Sequence, residues 1–198
     1  IGGLVHIKTR PLSTEGTKGA ISIDAIDTSA FLEAKIAKDL RVAIAGRRGH
    51  LADLVPLFTQ RDVGVLVPTP NFFDVHGRIG WNPRPNENLE LNVLAFRDDL
   101  DRSVASADPA FVRADARRVS AGRVWLRYQR SSREGGALTI TPFVGLDDAR
   151  TEDRFGAVSS VLDRHSELYG ARATWNAQVA DWLTISAGLD AQVDAVRV

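Results

Sequence analysis

The sequence contains no cysteine and no methionine among its 198 residues. Without cysteine there is no disulfide framework, no thiolate metal site and no thiol nucleophile. No apolar run approaches the roughly 18–20 residues that a membrane-spanning helix needs. The basic start and apolar stretch of a signal peptide are missing too. Because the chain begins at Ile1, inside an apolar phrase and without an initiator Met, we expect it to be a piece of a longer protein.

The sequence also has no excess of charge of one sign, because 25 basic and 25 acidic side chains give a formal net charge of zero. This balance excludes a strongly basic nucleic-acid binder of the usual kind, so we expect no nucleic-acid partner. The hydrophobic fraction of 44% excludes a chain that is disordered by composition. The length suits one large domain or two small ones.

Helical periodicity is nearly absent, whereas apolar and polar residues alternate with period two along most of the chain. This alternation is typical of strands with two different faces. It predicts a short strand at Leu4–Arg10 followed by about nine barrel-type strands. The nine strands are expected near residues 19–27, 29–37, 40–49, 72–82, 88–98, 117–130, 137–148, 163–178 and 182–197.

The alternation defines an apolar face over the last six strands. This face has 28 positions, none of which is charged, whereas the 28 interleaved positions of the polar face carry eight charges. The apolar face comprises Val75, Gly77, Ile79, Trp81, Leu89, Leu91, Val93, Ala95, Gly122, Val124, Leu126, Tyr128, Leu138, Ile140, Pro142, Val144, Leu146, Tyr169, Ala171, Ala173, Trp175, Ala177, Leu183, Ile185, Ala187, Leu189, Ala191 and Val193.

The connections between the predicted strands alternate between short and long. Short turns are expected at Lys38–Asp39, Pro83–Asn88, Ser131–Gly136 and Val179–Asp181. Long polar loops are expected near 50–71, 99–116 and 149–162. Short turns at one end and long loops at the other are typical of an up-and-down transmembrane β-barrel. The predicted strand lengths also match a tilted bilayer crossing.

Aromatic residues support the same interpretation. Trp81, Tyr128 and Trp175 all fall on the apolar face, at the short-turn ends of their strands. Interfacial girdles of membrane barrels place Trp and Tyr at head-group depth. The alternative is that these rings close one end of a soluble core.

Alternation alone does not say which way the apolar face points, so a soluble all-β ligand-binding module with that face inward is an alternative. In such a module Val124, Leu126, Ile185 and Leu189 would be shielded by a second layer, while Arg123 and Arg127 would face water. Two points favour the outward orientation. Eight charges on the polar face suit a wide water-filled lumen, and about nine strands in a meander would leave exposed edges in a soluble protein.

The first ten residues, IGGLVHIKTR, lead into the predicted strands. This phrase resembles the end of the plug domain of TonB-dependent outer-membrane receptors, where an Ile-Gly-Gly stretch enters a short strand that ends in Thr and a basic residue. Gly19–Asp24, Ala30–Ala37 and Leu40–Gly49 are similar to the first three barrel strands of that family. His6 stands where the family more often has Asn.

The resemblance implies two parts: residues 1–16 as the C-terminal end of a plug domain, and residues 17–198 as the N-terminal portion of a transmembrane β-barrel. The fold class is then all-β, an antiparallel up-and-down transmembrane barrel, incomplete, with about nine strands of a larger one. The implied location is the outer membrane of a Gram-negative bacterium. An unplugged porin-type barrel is a close variant of this interpretation.

The implied function is TonB-energised uptake of a scarce solute, siderophore-like or another small ligand. The expected partners are outer-membrane lipid, the TonB complex through a segment absent from this chain, and a small-molecule ligand of unknown identity. No cofactor is expected. We expect no enzyme, because neither a Gly-x-Ser-x-Gly elbow nor a zinc-protease helix motif is present.

A few residues have the composition of a binding site. His50 and Asp53 have the spacing of a metal or acid–base pair, although the start of an exposed loop is the better interpretation. Two acidic clusters contain oxygen ligands for a divalent cation but lack EF-hand spacing. Solvated loop charge is the better interpretation for both. They comprise Asp98, Asp99 and Asp101, and Asp147, Asp148, Glu152 and Asp153.

Arginines provide the last candidates. The segment Gly46–Gly49 lacks the Gly-Lys-Ser/Thr of a phosphate loop, so its two arginines are expected to straddle the wall near the upper rim. Four arginines of the polar face can line a path for an anionic ligand or can pair with carboxylates of plug and wall. We favour the pairing. These are Arg78, Arg123, Arg127 and Arg172.

Overall fold

The computed structural model describes residues 11–13, 15–51, 53–54, 70–104, 106–132 and 135–198. This part of the chain forms nine strands, a short 3-10 helix at Pro109–Phe111 and helical residues at 51 and 53–54. Within it, none of the helices has the length and apolar character that a membrane crossing requires. The strands are β1 Thr17–Ile23, β2 Asp27–Lys35, β3 Leu40–Gly49, β4 Asn71–Arg84, β5 Glu87–Val104, β6 Arg113–Ser131, β7 Ala137–Phe155, β8 Val158–Ala180 and β9 Leu183–Arg197.

All nine strands belong to one antiparallel sheet in which each strand pairs with its neighbours in sequence. The described residues leave β1 and β9 as the two edges, so the sheet is open. The predicted all-β, up-and-down architecture is confirmed, and so is the number of strands. The short strand predicted at Leu4–Arg10 lies outside the described residues, as does most of the predicted loop 50–71.

The apolar and polar faces keep their identity across the whole sheet because the register matches them strand by strand. Val93, for example, lies opposite Gly77 on β4 and Val124 on β6. The register extends the apolar face to the first three strands, through Ile21, Ala30 and further residues. A one-residue slip would move every side chain of a strand to the other face. This matching is therefore the main constraint on the pairing.

Two of the predicted long loops are largely strand, which corrects the sequence prediction. β5 continues to Val104 and β6 begins at Arg113, inside the predicted loop 99–116. The predicted loop 149–162 is replaced by the ends of β7 and β8, joined by a two-residue turn at 156–157. Both faces are charged in these extensions, so the alternation disappears although the backbone ladder continues. Strands β5 to β8 thus extend beyond the apolar positions.

Gly156 explains why the β7–β8 connection is so short. Its φ is +56°, and all non-glycine residues described, including Ala157, have negative φ. This is the pattern of a type II′ hairpin turn, which favours Gly at its first central position. Its N–H donates to the carbonyl of Val112 at 2.8 Å, and an added Cβ would lie 2.7 Å from the carbonyl oxygen of Ala110. The turn is therefore docked on the β5–β6 connection.

The first predicted strand, 19–27, is also too long at its end. β1 stops at Ile23 because Asp24 Oδ1 accepts hydrogen bonds from the N–H groups of Ile26 at 2.7 Å and Asp27 at 2.9 Å. An aspartate that bonds its own backbone two residues on is a strong turn former. The same N–H donors, that of Asp27 foremost, hold the pKa of Asp24 below its ordinary value.

Candidate functional site

The burial pattern of the sheet is the reverse of that in an ordinary soluble domain. Within the described residues, the buried hydrophobic side chains are Leu12 and Ala121. The other buried side chains are polar or charged, and all but Glu87 lie on the polar face. They are Glu33, Arg78, Glu87, Glu90, Asn92 and Ser166. Charged side chains are almost never fully buried unless they are paired, so the polar face is the structured interior of this sheet.

Strand β7 shows the two faces most clearly. From Ile140 to Arg150 every residue of the apolar-face phase is exposed, and every interleaved residue is buried or half-buried. Over the whole sheet, none of the 28 apolar-face positions is buried. The side chains that a soluble module would shield are accessible: Val124 is 38% exposed, Ile185 43% and Leu189 69%. Leu126, Arg123 and Arg127 are half-buried.

The apolar face is bounded by charge at both ends. At the short-turn end, Arg130 and Arg84 flank Glu87, with Arg84 Nη1 at 3.1 Å from its Oε1. At the other end, Asp148 follows Leu146 along β7. From Leu138 to Leu146 the uncharged stretch is about 27 Å along the strand, or about 21 Å for a strand tilted by about 40°. That is close to the apolar band of outer-membrane barrels, about 25 Å tall.

A buried ion pair lies in the middle of the polar face. Arg78 on β4 donates to Glu90 on β5 across 3.0 Å, and both side chains are less than 10% exposed. The other carboxylate oxygen of Glu90 accepts from Asn92 Nδ2 at 3.1 Å. Asn92 is fully buried, and its Oδ1 has no hydrogen-bond partner. The positive charge of Arg78 is therefore neutralised within the sheet.

An aromatic stack lies beside this pair. The rings of His76 and Trp125 are 5.8 Å apart and nearly parallel, so they bridge β4 and β6 across β5. His76 Nε2 and Arg127 Nε are buried without a hydrogen-bond partner. Within the described part of the chain, Arg127 makes no ion pair. Together with Arg41 Nε and Asn92 Oδ1, these are buried polar atoms of the face with unused hydrogen-bonding capacity.

The remaining arginine candidates of the polar face are paired with carboxylates. Arg123 donates to Asp147 at 2.6 Å, and Arg172 donates to Asp190 at 2.8 Å through Nε. The prediction that these arginines pair with carboxylates is confirmed for Arg78, Arg123 and Arg172, whose partners belong to the sheet itself. For Arg127 none of the described carboxylates comes within ion-pair distance, so its pairing with a carboxylate of the plug stays a prediction.

The segment before β1 lies against the polar face. Leu12 is buried, and its side chain fills the space over Gly80, where a Cβ would come within 2.7 Å of Leu12 Cδ1. The backbone N–H of Ser13 donates to the carboxylate of the buried Glu33. Because Gly80 has no side chain, the segment before β1 can pack closely against β4 at this position. Residues 1–10, which carry the plug-like phrase, lie outside the described residues.

The side chains of His50 and Asp53 bind different partners and do not form a pair. His50 Nε2 lies 2.8 Å from the carbonyl oxygen of Asp24, and Asp53 accepts from Arg48 at 3.4 Å. Arg47, on the opposite face of β3 from Arg48, pairs with Asp74 at 3.0 Å and lies over the Phe72 ring. The two arginines therefore straddle the sheet as predicted, and the histidine and the aspartate each support the local fold.

Both acidic clusters are divided by the sheet. Asp98 and Asp147 lie on the polar face, whereas Asp99 and Asp148 lie on the apolar-face side. The assignment of these residues to loops is wrong, because they belong to the strand extensions described above. Within the described ranges, no group of three or more such side chains is arranged to hold a metal ion.

The sequence alone did not predict the ion pairs and hydrogen bonds between acidic and basic side chains in the extensions of β7 and β8, beyond the apolar positions. There His165 Nδ1 is 2.6 Å from Asp148 Oδ1, and this hydrogen bond is the main reason why the pKa of His165 is raised. Arg150 pairs with Glu152 at 2.6 Å. The position of the turn at 156–157 would have predicted this contact, because a hairpin with that turn places His165 directly opposite Asp148.

Comparison with known proteins does not identify a relative: no protein-family model matches this chain, and no curated protein matches it.

Proposed function

We propose that this chain is part of the wall of a transmembrane β-barrel in the outer membrane of a Gram-negative bacterium, in a receptor of the TonB-dependent kind. Such a receptor takes up a scarce small solute through a plugged lumen. The apolar face would contact lipid, and the polar face would line the lumen.

The reversed burial carries this proposal. A soluble domain gains about 1.5–3 kcal/mol for each large apolar side chain that it buries. The described residues, however, bury two hydrophobic side chains, Leu12 and Ala121, and expose about thirty large ones, counting Val as large. A bilayer supplies the apolar surroundings that these side chains need. The same sheet buries a charged pair, which suits a water-filled or plugged lumen.

The segment before β1 supports the plugged form of the barrel. Leu12 and Ser13 contact the polar face through Gly80 and Glu33. A chain that enters the first wall strand from the lumen side is what the plug-like phrase of residues 1–10 implies. An unplugged pore has no need for such a contact, so the plugged receptor is the form we propose.

In this function the wall performs no covalent chemistry. The ligand would be captured at the end where strands β5 to β8 extend beyond the apolar positions and would pass along the polar face after the plug rearranges. Since Arg78, Arg123 and Arg172 are neutralised by wall carboxylates, they would hold the wall in register without binding a passing anion tightly. Energy would come from the TonB complex, through a segment outside this chain.

Cell fractionation of the full-length protein tests the location. We expect the protein in the outer-membrane fraction, with a shift in electrophoretic mobility on heating. A soluble periplasmic protein without heat-dependent mobility would contradict the proposal.

Uptake assays test the receptor part separately. Growth on scarce iron or other limiting solutes should depend both on this protein and on the TonB complex. If the protein is an outer-membrane barrel whose solute flux continues without TonB, the porin-type alternative replaces the receptor.

A further inference from the structure

Two rows of mostly charged residues lie above the apolar positions, on the same side of the sheet as the apolar face. The register aligns the residues of the first row across five strands and those of the second across four. These charged rows are Arg97, Ser120, Asp148, His165 and Arg197, and Asp99, Arg118, Arg150 and Asp163.

Within the charged rows positive groups outnumber negative ones. The rows hold four arginines and one histidine against three aspartates. Two further carboxylates, Glu152 and Glu167, adjoin the rows on the same side of the sheet and lie 2.6 Å from Arg150 and 3.6 Å from His165 respectively. The three aspartates are already engaged: Asp99 by Arg97 at 2.8 Å, Asp148 by His165 at 2.6 Å and Asp163 by Arg150 at 3.7 Å. Each carboxylate is therefore close to a cation of the same surface.

Two arginines of the charged rows are further from any described carboxylate, although Arg197 has a longer-range electrostatic interaction with Glu167. Within the described residues, Arg118 and Arg197 form no ion pair, and both are exposed. Both line one shallow concavity, together with His165. Their strands, β6 and β9, are three strand spacings apart, and the two residues are two positions apart along the strands, which places their backbones about 16 Å from each other. This distance can span neighbouring head groups of a lipid monolayer.

We propose that the charged rows bind the phosphorylated head groups of the lipid that surrounds the barrel, with Arg118 and Arg197 as the principal contacts. This inference rests on the proposed membrane location. Arginine is suited to phosphate because its guanidinium donates two parallel hydrogen bonds. The first charged row directly follows exposed Leu146 on β7, so it would lie at head-group depth.

The experiment uses the full-length protein in phosphatidylcholine bilayers, with or without an equimolar amount of phosphatidic acid. Lipid that remains bound after detergent extraction is counted by native mass spectrometry. We compare Arg118→Gln with Arg117→Gln, a matched control because the two residues are consecutive on β6 and face opposite sides. Arg118→Lys keeps the charge.

The wild type and Arg117→Gln should retain phosphatidic acid in preference to phosphatidylcholine. Each arginine removed from the charged rows should lower that preference roughly fivefold, as Arg118→Gln and Arg197→Gln would show. Arg118→Lys should keep most of it. Equal retention by wild type and Arg118→Gln, or an equal loss in Arg117→Gln, would overturn the inference.

Three further outcomes distinguish lipid binding from the membrane location on which it rests and from the binding of free phosphate. Failure of the wild type to insert into either bilayer would overturn the membrane location, and this inference with it. Normal insertion without a preference for phosphatidic acid would overturn only the inference. If inorganic phosphate displaces the bound phosphatidic acid completely, the surface recognises free phosphate and the lipid is not its partner.

Discussion

The two faces of this sheet share the same strands and backbone hydrogen bonds but have opposite chemistry. On β7, exposed Val144 lies next to Phe143 and Gly145, which are half-buried and buried. On the apolar face, neighbours across the strands need only to be apolar, whereas on the polar face Arg78, Arg123 and Arg172 each have a specific carboxylate partner. We infer that the apolar face determines the environment in which the protein is stable. The polar face determines the register in which its strands pair.

The largest effect is expected from the buried pair of the polar face. Arg78→Ala leaves Glu90 buried without its cation, which should lower the free energy of unfolding by about 3–5 kcal/mol. Arg172→Ala removes the equivalent pair near the β9 edge, where both side chains are half-exposed, and should cost about 0.2–1 kcal/mol. Chemical unfolding of the full-length protein in lipid vesicles measures both.

The control for this prediction is a double replacement. Arg78→Met combined with Glu90→Leu removes both charges together and should recover most of the loss, because no buried charge is left unpaired. If Arg78→Ala and Arg172→Ala cost the same, the polar face would not be a distinct interior.

The next largest effect distinguishes the two faces on one strand. Ala173 and Thr174 are consecutive small residues of β8, on the apolar and polar face respectively, and Ala173 is in the middle of the apolar positions of that strand. Ala173→Arg should destabilise the inserted protein by about 2–4 kcal/mol, the cost of a cation on the lipid face near the midplane. Thr174→Arg should change it by about 0.5 kcal/mol or less.

The quantity of folded, heat-modifiable protein in outer membranes gives the same comparison in cells. We expect a clear loss for Ala173→Arg and near wild-type amounts for Thr174→Arg. The opposite order would mean that the charged side of the wall faces lipid.

The smallest effect concerns His165, above the apolar positions. Its raised pKa, caused mainly by the hydrogen bond to Asp148, means that protonation favours the folded state. This contribution is complete below the unfolded pKa of about 6.5 and is lost as pH rises through the higher folded value. Asp148→Asn should lower the pKa of His165, as NMR titration would report. An unchanged pKa would show that the contact is absent in solution.

The sequence predicted the fold better than it predicted the contacts. Alternation is strong wherever one face is free of charge, so nine strands and their faces were foreseen. It fails in the extensions of β5 to β8, where Asp99 and Arg118 stand on the side that is apolar lower down. There the strands are held by the backbone ladder, by ion pairs and by the Gly156 turn.

The partners within the candidate site depend on register, which alternation leaves open. Arg123 meets Asp147 although 24 residues separate them, because the turn between β6 and β7 sets that pairing. The irregular pairing between Trp81 and Arg84 likewise shifts β4 against β5. Turn geometry of this kind depends on a few residues and is weakly encoded in the sequence pattern.

The lack of cysteine makes the central claim directly testable, since single cysteines can be introduced along β6 and spin-labelled. In lipid vesicles, collision with oxygen reports exposure to lipid, and collision with a water-soluble nickel chelate reports exposure to water. Along Gly122–Tyr128 we predict that oxygen accessibility peaks at Val124 and Leu126 and falls at Arg123 and Trp125. Peaks at Arg123 and Trp125, or no alternation at all, would contradict an outward-facing apolar wall.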